Sequence, residues 1–236
     1  MTTLASDTDE QGWVGWVPLE ANEDALNRYL NALGVKGVRC EEIWSFDDHI
    51  PIIEKPHYAL ILCYSNFVQV KNLMNENYRT LESIVPEGVF FAQQKIKNAC
   101  GTFALIHALA QNSDRIDFGN GIFDKWLEAA RKLQAVDERS DLLAADSQFA
   151  AAHAACASGG ATSISEADQN PDSHYICYVH FAGRLMEFDS RMQFPRDCGA
   201  TTPDSLLRDA ADECKKLLSA VPDIQFSAIA LVGSPN

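Results

Sequence analysis

A polar segment that runs directly into a nearly all-apolar one is the feature that most constrains the fold of this chain. Residues 93–98 read Gln-Gln-Lys-Ile-Lys-Asn, and residues 103–110 read Phe-Ala-Leu-Ile-His-Ala-Leu-Ala. Asn98 is of a type favoured as an N-cap, so the sequence predicts a helix that begins after Asn98 and carries Cys100 in its first turn. Apolar residues on every side of the run indicate a helix buried inside a domain.

The predicted helix would hold Cys100 at its positive end. Backbone N–H groups without helical partners and the helix dipole both stabilise a thiolate over a thiol, so the position suits a nucleophile of lowered pKa. Most cysteines in soluble intracellular chains are instead small buried hydrophobes. This segment alone leaves both interpretations open.

Composition indicates one globular domain. The chain has 236 residues, of which 47% are hydrophobic and 22% charged, enough to bury a real core. Residues 1–11 are acidic, so we expect a flexible terminus there and a single domain over residues 12–236. The first residues lack the pattern of a secretory signal, and no apolar run approaches the length that spans a membrane. These features predict a soluble protein of the cytoplasm or nucleus.

The cysteine count and the charge exclude several kinds of site and partner. Seven cysteines form an odd set without a Cys-x-x-Cys pair, which speaks against a disulfide framework and a zinc site. We therefore expect neither a metal nor another cofactor. The formal net charge of −14 speaks against nucleic acid and anionic membranes as partners and mildly favours a basic one. Solubility alone is the simpler explanation of that charge.

Periodicity and turn residues divide the chain into alternating helices and strands. Asn22 and Gly34 read as the caps of the first helix, and the continuously apolar residues 58–64 read as a strand buried on both faces. The predicted helices span residues 24–33, 71–84, 123–136, 137–157 and 206–218, and the predicted strands span residues 38–44, 58–64, 174–181, 184–189 and 226–232. This order predicts a three-layer α/β or α+β domain.

Residues 158–173 break the pattern, because they are polar, contain Gly159-Gly160 and Asn170-Pro171, and offer one lone isoleucine to a core. A loop of this length inside a compact domain is uncommon and is often a lid or binding loop. A dispensable exposed insertion is the equal alternative.

A hairpin follows this loop, with Ala182-Gly183 as a two-residue turn. Pairing the strands across that turn places Ile176 opposite Asp189. His174 and Asp189 then lie diagonally across the ladder on one face, within reach of polar side chains.

Together, these residues could form a catalytic site with a thiol nucleophile. Attack on a carbonyl needs a thiolate, a base held in the right tautomer and donors for the oxyanion. Cys100 is the candidate nucleophile, His174 the candidate base, and Asp189 the partner that orients the imidazole. The side-chain amide of Gln94 and the backbone N–H of Cys100 are candidate oxyanion donors, and we interpret His107 as a core or capping residue. From residues alone, the chain is a candidate cysteine hydrolase or acyltransferase.

Four separated motifs carry a family resemblance over essentially the whole chain. Residues 94–108 are similar to the active-site signature of the ubiquitin C-terminal hydrolases, a family of cysteine peptidases. Residues 16–22, Trp-Val-Pro-Leu-Glu-Ala-Asn, resemble the opening of that family. Residues 174–189 resemble its histidine and aspartate segment, and residues 226–231 resemble its last strand.

The resemblance implies a fold, an activity and a partner. The fold is α+β, with a central antiparallel sheet wrapped by helices on both sides, a knotted backbone and a papain-like active site. The activity is removal of small adducts or short peptides from the C-terminal glycine of ubiquitin or of a close ubiquitin-like relative. A monomer without a cofactor is also implied.

The resemblance also carries site roles onto individual residues. It places Cys100, His174, Asp189 and Gln94 at the nucleophile, base, orienting acid and oxyanion donor of the family, and residues 158–173 at its crossover loop over the active site. The substrate contacts that it implies are Leu19, Glu20 and Ser173. Departures are Ser190, where the family usually has glycine after the aspartate, and residues 103–104, Phe-Ala, in place of Ile-Gly.

Two other functions compete with a ubiquitin hydrolase. One is a ubiquitin-binding module that sequesters ubiquitin without turnover. The other is an acyltransferase with an unrelated Cys/His/Asp triad, which the order of the four motifs disfavours.

Overall fold

A computed structural model describes residues 15–65, 68–157, 173–221 and 223–234 of the chain. Within these ranges lie seven α-helices, one short 3-10 helix and six β-strands. The helices are α1 (Glu23–Leu33), α2 (Val68–Arg79), α3 (Cys100–Ala110), α4 (Ile122–Ala130), α5 (Glu138–Ala145), α6 (Ser147–Ala157) and α7 (Leu206–Ala220), with the 3-10 turn at Ile50–Ile52. The strands are β1 (Val38–Glu42), β2 (His57–Ser65), β3 (Ser173–Phe181), β4 (Arg184–Phe188), β5 (Arg196–Ala200) and β6 (Phe226–Gly233).

The strands form one antiparallel sheet in the order β1-β6-β2-β3-β4-β5. β2 is buried over almost its whole length, as predicted for a central strand. The last strand, β6, lies between β1 and β2 and pairs with both. The α+β class and the central antiparallel sheet are therefore confirmed. The knotted backbone stays a prediction.

Helices cover both faces of the sheet, and each face has its own hydrophobic core. One core joins the sheet to α1, α3, α4 and α6, and the other joins it to α2 and α7. Alternation along β3 sends Tyr175, Cys177 and Val179 into the first core and Ile176 and Tyr178 into the second. A strand buried on both faces can present its ends only at the edge of these layers, and His174 lies at such an end.

The β3–β4 hairpin has the predicted register. Phe181 pairs with Arg184 and Cys177 with Phe188. Extending this register by one residue places Ile176 opposite Asp189. Ala182 and Gly183 form the turn, both with positive φ (48° and 80°), the combination that a two-residue turn between twisted strands requires.

Several element bounds differ from prediction for identifiable reasons. Residues 137–157 form two helices, because the side chain of Asp146 accepts the backbone N–H groups of Gln148 and Phe149 and so starts α6. The helix predicted for residues 71–84 begins at Val68 and ends at Arg79, and the helix predicted for residues 123–136 ends at Ala130. β5 was not predicted, since it is a polar edge strand without apolar alternation.

A buried carboxylate on β4 ties several elements together on the face of the second core. Glu187 is 1% exposed and accepts hydrogen bonds from the hydroxyls of Tyr78 (3.1 Å) and Tyr178 (2.7 Å). Arg196 donates to both Glu187 oxygens at 2.9 and 2.7 Å and also to Glu213 at 3.1 Å. The Glu187 cluster thus joins α2, β3, β4, β5 and α7.

The predicted flexible terminus, residues 1–11, and nearly all of the predicted crossover loop, residues 158–173, lie outside the described residues. The described ends of that loop are Ala157, the last residue of α6, and Ser173, the first residue of β3. None of the helices in the described ranges is both long and apolar enough to cross a membrane.

Candidate active site

Cys100 opens the buried helix α3. Every residue from Gly101 to Ala110 is buried, whereas Cys100 itself is half-buried. The predicted cap is wrong by one position. Asn98 has a φ of 61° and Ala99 occupies the N-cap without a side-chain hydrogen bond. The cap therefore leaves backbone N–H groups of the first turn to other acceptors, and that of Gly101 contacts the Cys100 sulfur.

The surroundings of Cys100 favour its thiolate. Burial raises the pKa of the Cys100 thiol, but the hydrogen bond and the charge of His174, together with the backbone N–H groups of Tyr175 and Gly101, outweigh burial and leave the pKa below its ordinary value. The pKa values of the other six cysteines are raised, chiefly by burial. Cys100 is therefore the thiol that is most readily ionised.

His174 connects the thiol to an acid. Its Nε2 lies 2.7 Å from Asp189 Oδ1, so its hydrogen bond with Cys100 is left to Nδ1. Burial lowers the pKa of His174, but the Asp189 carboxylate and the bond to Cys100 outweigh burial and raise the pKa above its usual value. A raised imidazole pKa beside a lowered thiol pKa favours a thiolate–imidazolium pair.

Asp189 is completely buried and is held by an arginine that sequence reasoning missed. Arg191 donates from Nε to Oδ1 (3.3 Å), from Nη2 to Oδ2 (3.0 Å) and from its backbone N–H to Oδ1 (2.9 Å). Burial raises the pKa of Asp189, but the charges of His174 and Arg191 hold it well below its ordinary value. Nη2 of Arg191 also donates to the hydroxyl of Tyr64 (3.1 Å), whose ring meets His174 edge-on. The sequence signal that could have identified Arg191 is a basic residue two positions after the candidate acid.

Gln94 approaches the same turn from the loop before α3. Its backbone N–H donates to the carbonyl of Ser190 (2.8 Å), and its side-chain Oε1 accepts from the Ser190 hydroxyl (2.8 Å). Its Nε2 donates to the carbonyl of Ile96 at 2.6 Å. One end of the amide is thus held by Ser190, which follows Asp189, and the other end by Ile96 in the loop before α3.

Leu19, Glu20 and Ser173 surround this centre in different ways. Leu19 is buried, and its carbonyl accepts from the Tyr175 hydroxyl at 3.0 Å. Glu20 is half-buried and accepts from the side chain of Asn22 at 2.8 Å. Ser173 is half-buried and directly precedes His174. The structure brings Leu19 and Ser173 next to the residues around Cys100, with Leu19 as a core residue.

Two buried histidines have structural positions. His107 lies 3.1 Å from the Ala92 backbone nitrogen and stacks on Phe91, as expected of a core residue, and burial lowers its pKa to about 3. His153, on α6, lies 2.6 Å from the carbonyl of Val17 and 2.9 Å from the Thr102 hydroxyl. His153 therefore fastens the segment around Val17 to helix α3. Among the described residues, no group of His, Cys, Asp or Glu side chains is arranged as metal ligands.

Residues 16–219 match the peptidase family described as ubiquitin carboxyl-terminal hydrolase, family 1. A ubiquitin carboxyl-terminal hydrolase of Aplysia californica is 34% identical over 89% of this chain and 97% of its own length. The isozyme L1 of the same hydrolase from Sus scrofa is 34% identical over 91% of this chain and 96% of its own length.

Solved structures show the same fold. The catalytic domain of Trichinella spiralis UCH37, crystallised with ubiquitin vinyl methyl ester, superposes with a TM-score of 0.72 at 22% identity and covers 93% of this chain and 96% of its own. A second UCH37 structure from that organism gives a TM-score of 0.69.

Proposed function

The chain belongs to the ubiquitin carboxyl-terminal hydrolase family of cysteine peptidases, and we propose that it cleaves small adducts or short peptides from the C-terminal glycine of ubiquitin. The observation that carries the proposal is the hydrogen-bonded series Cys100, His174 and Asp189, in which the thiol pKa is lowered and the imidazole pKa is raised. Attack of a thiol on a carbonyl requires a thiolate with a base beside it, which is what this polarisation supplies.

The reaction has two halves. The Cys100 thiolate adds to the carbonyl carbon of the ubiquitin C-terminal glycine, and the electron pair of the C=O bond moves to oxygen. The tetrahedral intermediate collapses as the His174 imidazolium gives its proton to the leaving group, which leaves a thioester on Cys100. His174 then takes a proton from water, whose oxygen attacks the thioester. The second tetrahedral intermediate collapses as its C–S bond breaks and the Cys100 thiolate leaves. Ubiquitin departs as a carboxylic acid that loses its proton to water, and the proton kept by His174 restores the starting thiolate–imidazolium pair.

The remaining site residues support these steps. Asp189 holds the ring of His174 and stabilises its positive charge, and Arg191 keeps Asp189 ionised and in place. Gln94 Nε2 and the backbone N–H of Cys100 are proposed to stabilise the oxyanion. An amide nitrogen carries two hydrogens, so the bond from Gln94 to Ile96 leaves one for the substrate oxygen.

Residues 158–173 are proposed to cross the active site as a strap through which the leaving group passes. Support comes from their ends, because residue 157 closes α6 and Ser173 adjoins His174. A short strap favours thin, flexible leaving groups over folded domains. The strongly negative charge of the chain suits the basic C-terminal tail of ubiquitin. We propose a monomer of the cytoplasm or nucleus.

Reaction with ubiquitin that bears an electrophile at its C-terminal glycine tests the proposal, with intact mass as the readout. We expect one adduct on wild-type protein and none on Cys100→Ala, which should still bind ubiquitin. Binding without an adduct in either protein would instead identify a module that sequesters ubiquitin. Absence of ubiquitin binding would point to an unrelated acyltransferase.

A further inference from the structure

Ser190 makes a contact that the catalytic steps above do not use. Its side chain is almost completely buried, at 1% exposure, on the turn between Asp189 and Arg191. Its hydroxyl donates to Gln94 Oε1 at 2.8 Å, while its carbonyl accepts the Gln94 backbone N–H at the same distance. Ser190 therefore makes two hydrogen bonds with Gln94, although the two residues are 96 positions apart in the sequence.

The two ends of the Gln94 amide have different partners. Ser190 offers Oε1 a hydroxyl donor, whereas Ile96 offers Nε2 a carbonyl acceptor at 2.6 Å. A rotated amide would set Oε1 against the Ile96 carbonyl and lose that bond. The rotated amide would also present lone pairs, instead of an N–H, to any developing oxyanion. The orientation of this amide therefore decides whether Gln94 stabilises or repels such a charge.

We propose that Ser190 is a positioning residue, whose hydroxyl holds the Gln94 carboxamide in the orientation that the Ile96 carbonyl selects, with an N–H available to the oxyanion. The inference rests on the proposed function, because Gln94 needs an oxyanion to stabilise. A donor that is oriented before the reaction costs no reorganisation when charge develops. Ser190 does this from the turn that carries Asp189, so one short segment orients both the imidazole and the oxyanion donor.

A double-mutant cycle isolates this role. The proteins are wild type, Ser190→Ala, Gln94→Ala and the double variant, assayed on ubiquitin with a small fluorogenic amide at its C-terminus. One lost hydrogen bond that orients a donor should lower kcat about fivefold in Ser190→Ala with KM unchanged. In the Gln94→Ala background the same substitution should have almost no effect, since no amide is left to orient.

A second readout tests the oxyanion directly. Ubiquitin aldehyde forms a hemithioacetal whose oxygen occupies the oxyanion position, whereas free ubiquitin has no such oxygen. Ser190→Ala should weaken binding of the aldehyde about fivefold and leave binding of free ubiquitin unchanged. The pH profile of Cys100 alkylation should stay at its wild-type position, which shows that Asp189 and His174 are undisturbed.

Three results would overturn the inference. These are an equal loss from Ser190→Ala with or without Gln94, a shifted alkylation profile in Ser190→Ala, or full kcat in Ser190→Ala while Gln94→Ala is impaired. In each case a wild-type adduct with the ubiquitin electrophile leaves the proposed function standing. Absence of both adduct and turnover in wild type would remove the proposed function and this role with it.

Discussion

Two buried carboxylates lie two residues apart at the end of β4, and their surroundings make them very different groups. Glu187 and Asp189 are 1% and 0% exposed, and each accepts hydrogen bonds from the Nε and Nη2 atoms of one arginine. The other partners of Glu187 are the tyrosine hydroxyls of Tyr78 and Tyr178, which keep their protons at neutral pH. The other side-chain partner of Asp189 is the imidazole of His174, a group that can gain and lose a proton and whose pKa the Asp189 carboxylate raises.

The comparison teaches that an arginine-held buried carboxylate is not in itself a sign of catalysis. Glu187 lies inside the sheet, where neighbouring strands and helices surround it on the face of the second core. Asp189 follows the last paired residue of β4, where the chain turns toward the start of β3 and the loop before α3. Position at the strand end, and a titratable partner there, separate the carboxylate of the candidate active site from the structural one.

The largest expected difference is in turnover. Asp189→Asn should lower kcat by roughly 10²–10⁴, because the imidazole loses its orienting charge and its preferred tautomer. Glu187→Gln should leave kcat of the folded protein within about twofold of wild type, and it is the matched control for removing a buried charge. Steady-state assays on a ubiquitin amide below the unfolding range measure both. A large loss of kcat in Glu187→Gln would contradict the distinction between the two carboxylates.

Stability should show the reverse order. Glu187→Gln removes the main partner of the Arg196 guanidinium, so the free energy of unfolding should fall by about 3 kcal/mol. Asp189→Asn should cost less, because the Arg191 side chain is 27% exposed against 18% for Arg196, and water can solvate it. Denaturant unfolding followed by fluorescence gives both values. Glu76→Gln, in an exposed pair with Arg79, should cause no measurable change.

The pH dependence of thiol reactivity should change when the imidazole held by Asp189 is removed, and it should not change when Glu187 is neutralised. The lowered pKa of Cys100 and the raised pKa of His174 predict that iodoacetamide alkylates Cys100 well below pH ~8.5, where an ordinary thiol titrates. In His174→Ala only burial and backbone N–H groups remain to act on the thiol, so the profile should move to higher pH. Peptide mass mapping follows Cys100 separately from the other six thiols. Glu187→Gln should leave the profile in place.

The smallest expected effect concerns Arg191, the arginine that holds Asp189. Arg191 lowers the pKa of His174 by its charge and fixes Asp189 by two side-chain hydrogen bonds. Arg191→Met should therefore raise the pH at which His174 loses its proton and lower kcat several-fold, by about 1 kcal/mol of orientation. Arg184→Met, in an exposed pair with Asp197, is the control. If neither the pH dependence nor the magnitude of kcat changed in Arg191→Met, Asp189 would not need Arg191 to hold it in place.

Local patterns predicted the parts of this site that lie along one element. The two-residue turn and strict alternation gave the register that brings Asp189 to the end of β3, and the apolar run gave helix α3. Arg191, Ser190 and the Glu187 cluster escaped prediction, because their roles depend on contacts such as those from Tyr64 and Gln94, which come from distant parts of the chain. The cap predicted at Asn98 was wrong, because the preference for Asn assumes that a capping side chain accepts the N–H groups of the first turn. Here the N-cap is Ala99, and the backbone N–H of Gly101 contacts the Cys100 sulfur instead.

The place of β6 in the sheet has a consequence for synthesis of the protein. Ser65 on β2 and Gln225 before β6 hydrogen-bond across 160 positions of sequence, and β6 fills the space between β1 and β2. Until residue 233 has left the ribosome, β1 lacks the strand with which it pairs in the described part of the chain, and β2 offers an open edge. The sheet of a nascent chain is therefore completed last, and its exposed β2 edge is a pairing hazard until β6 is in place.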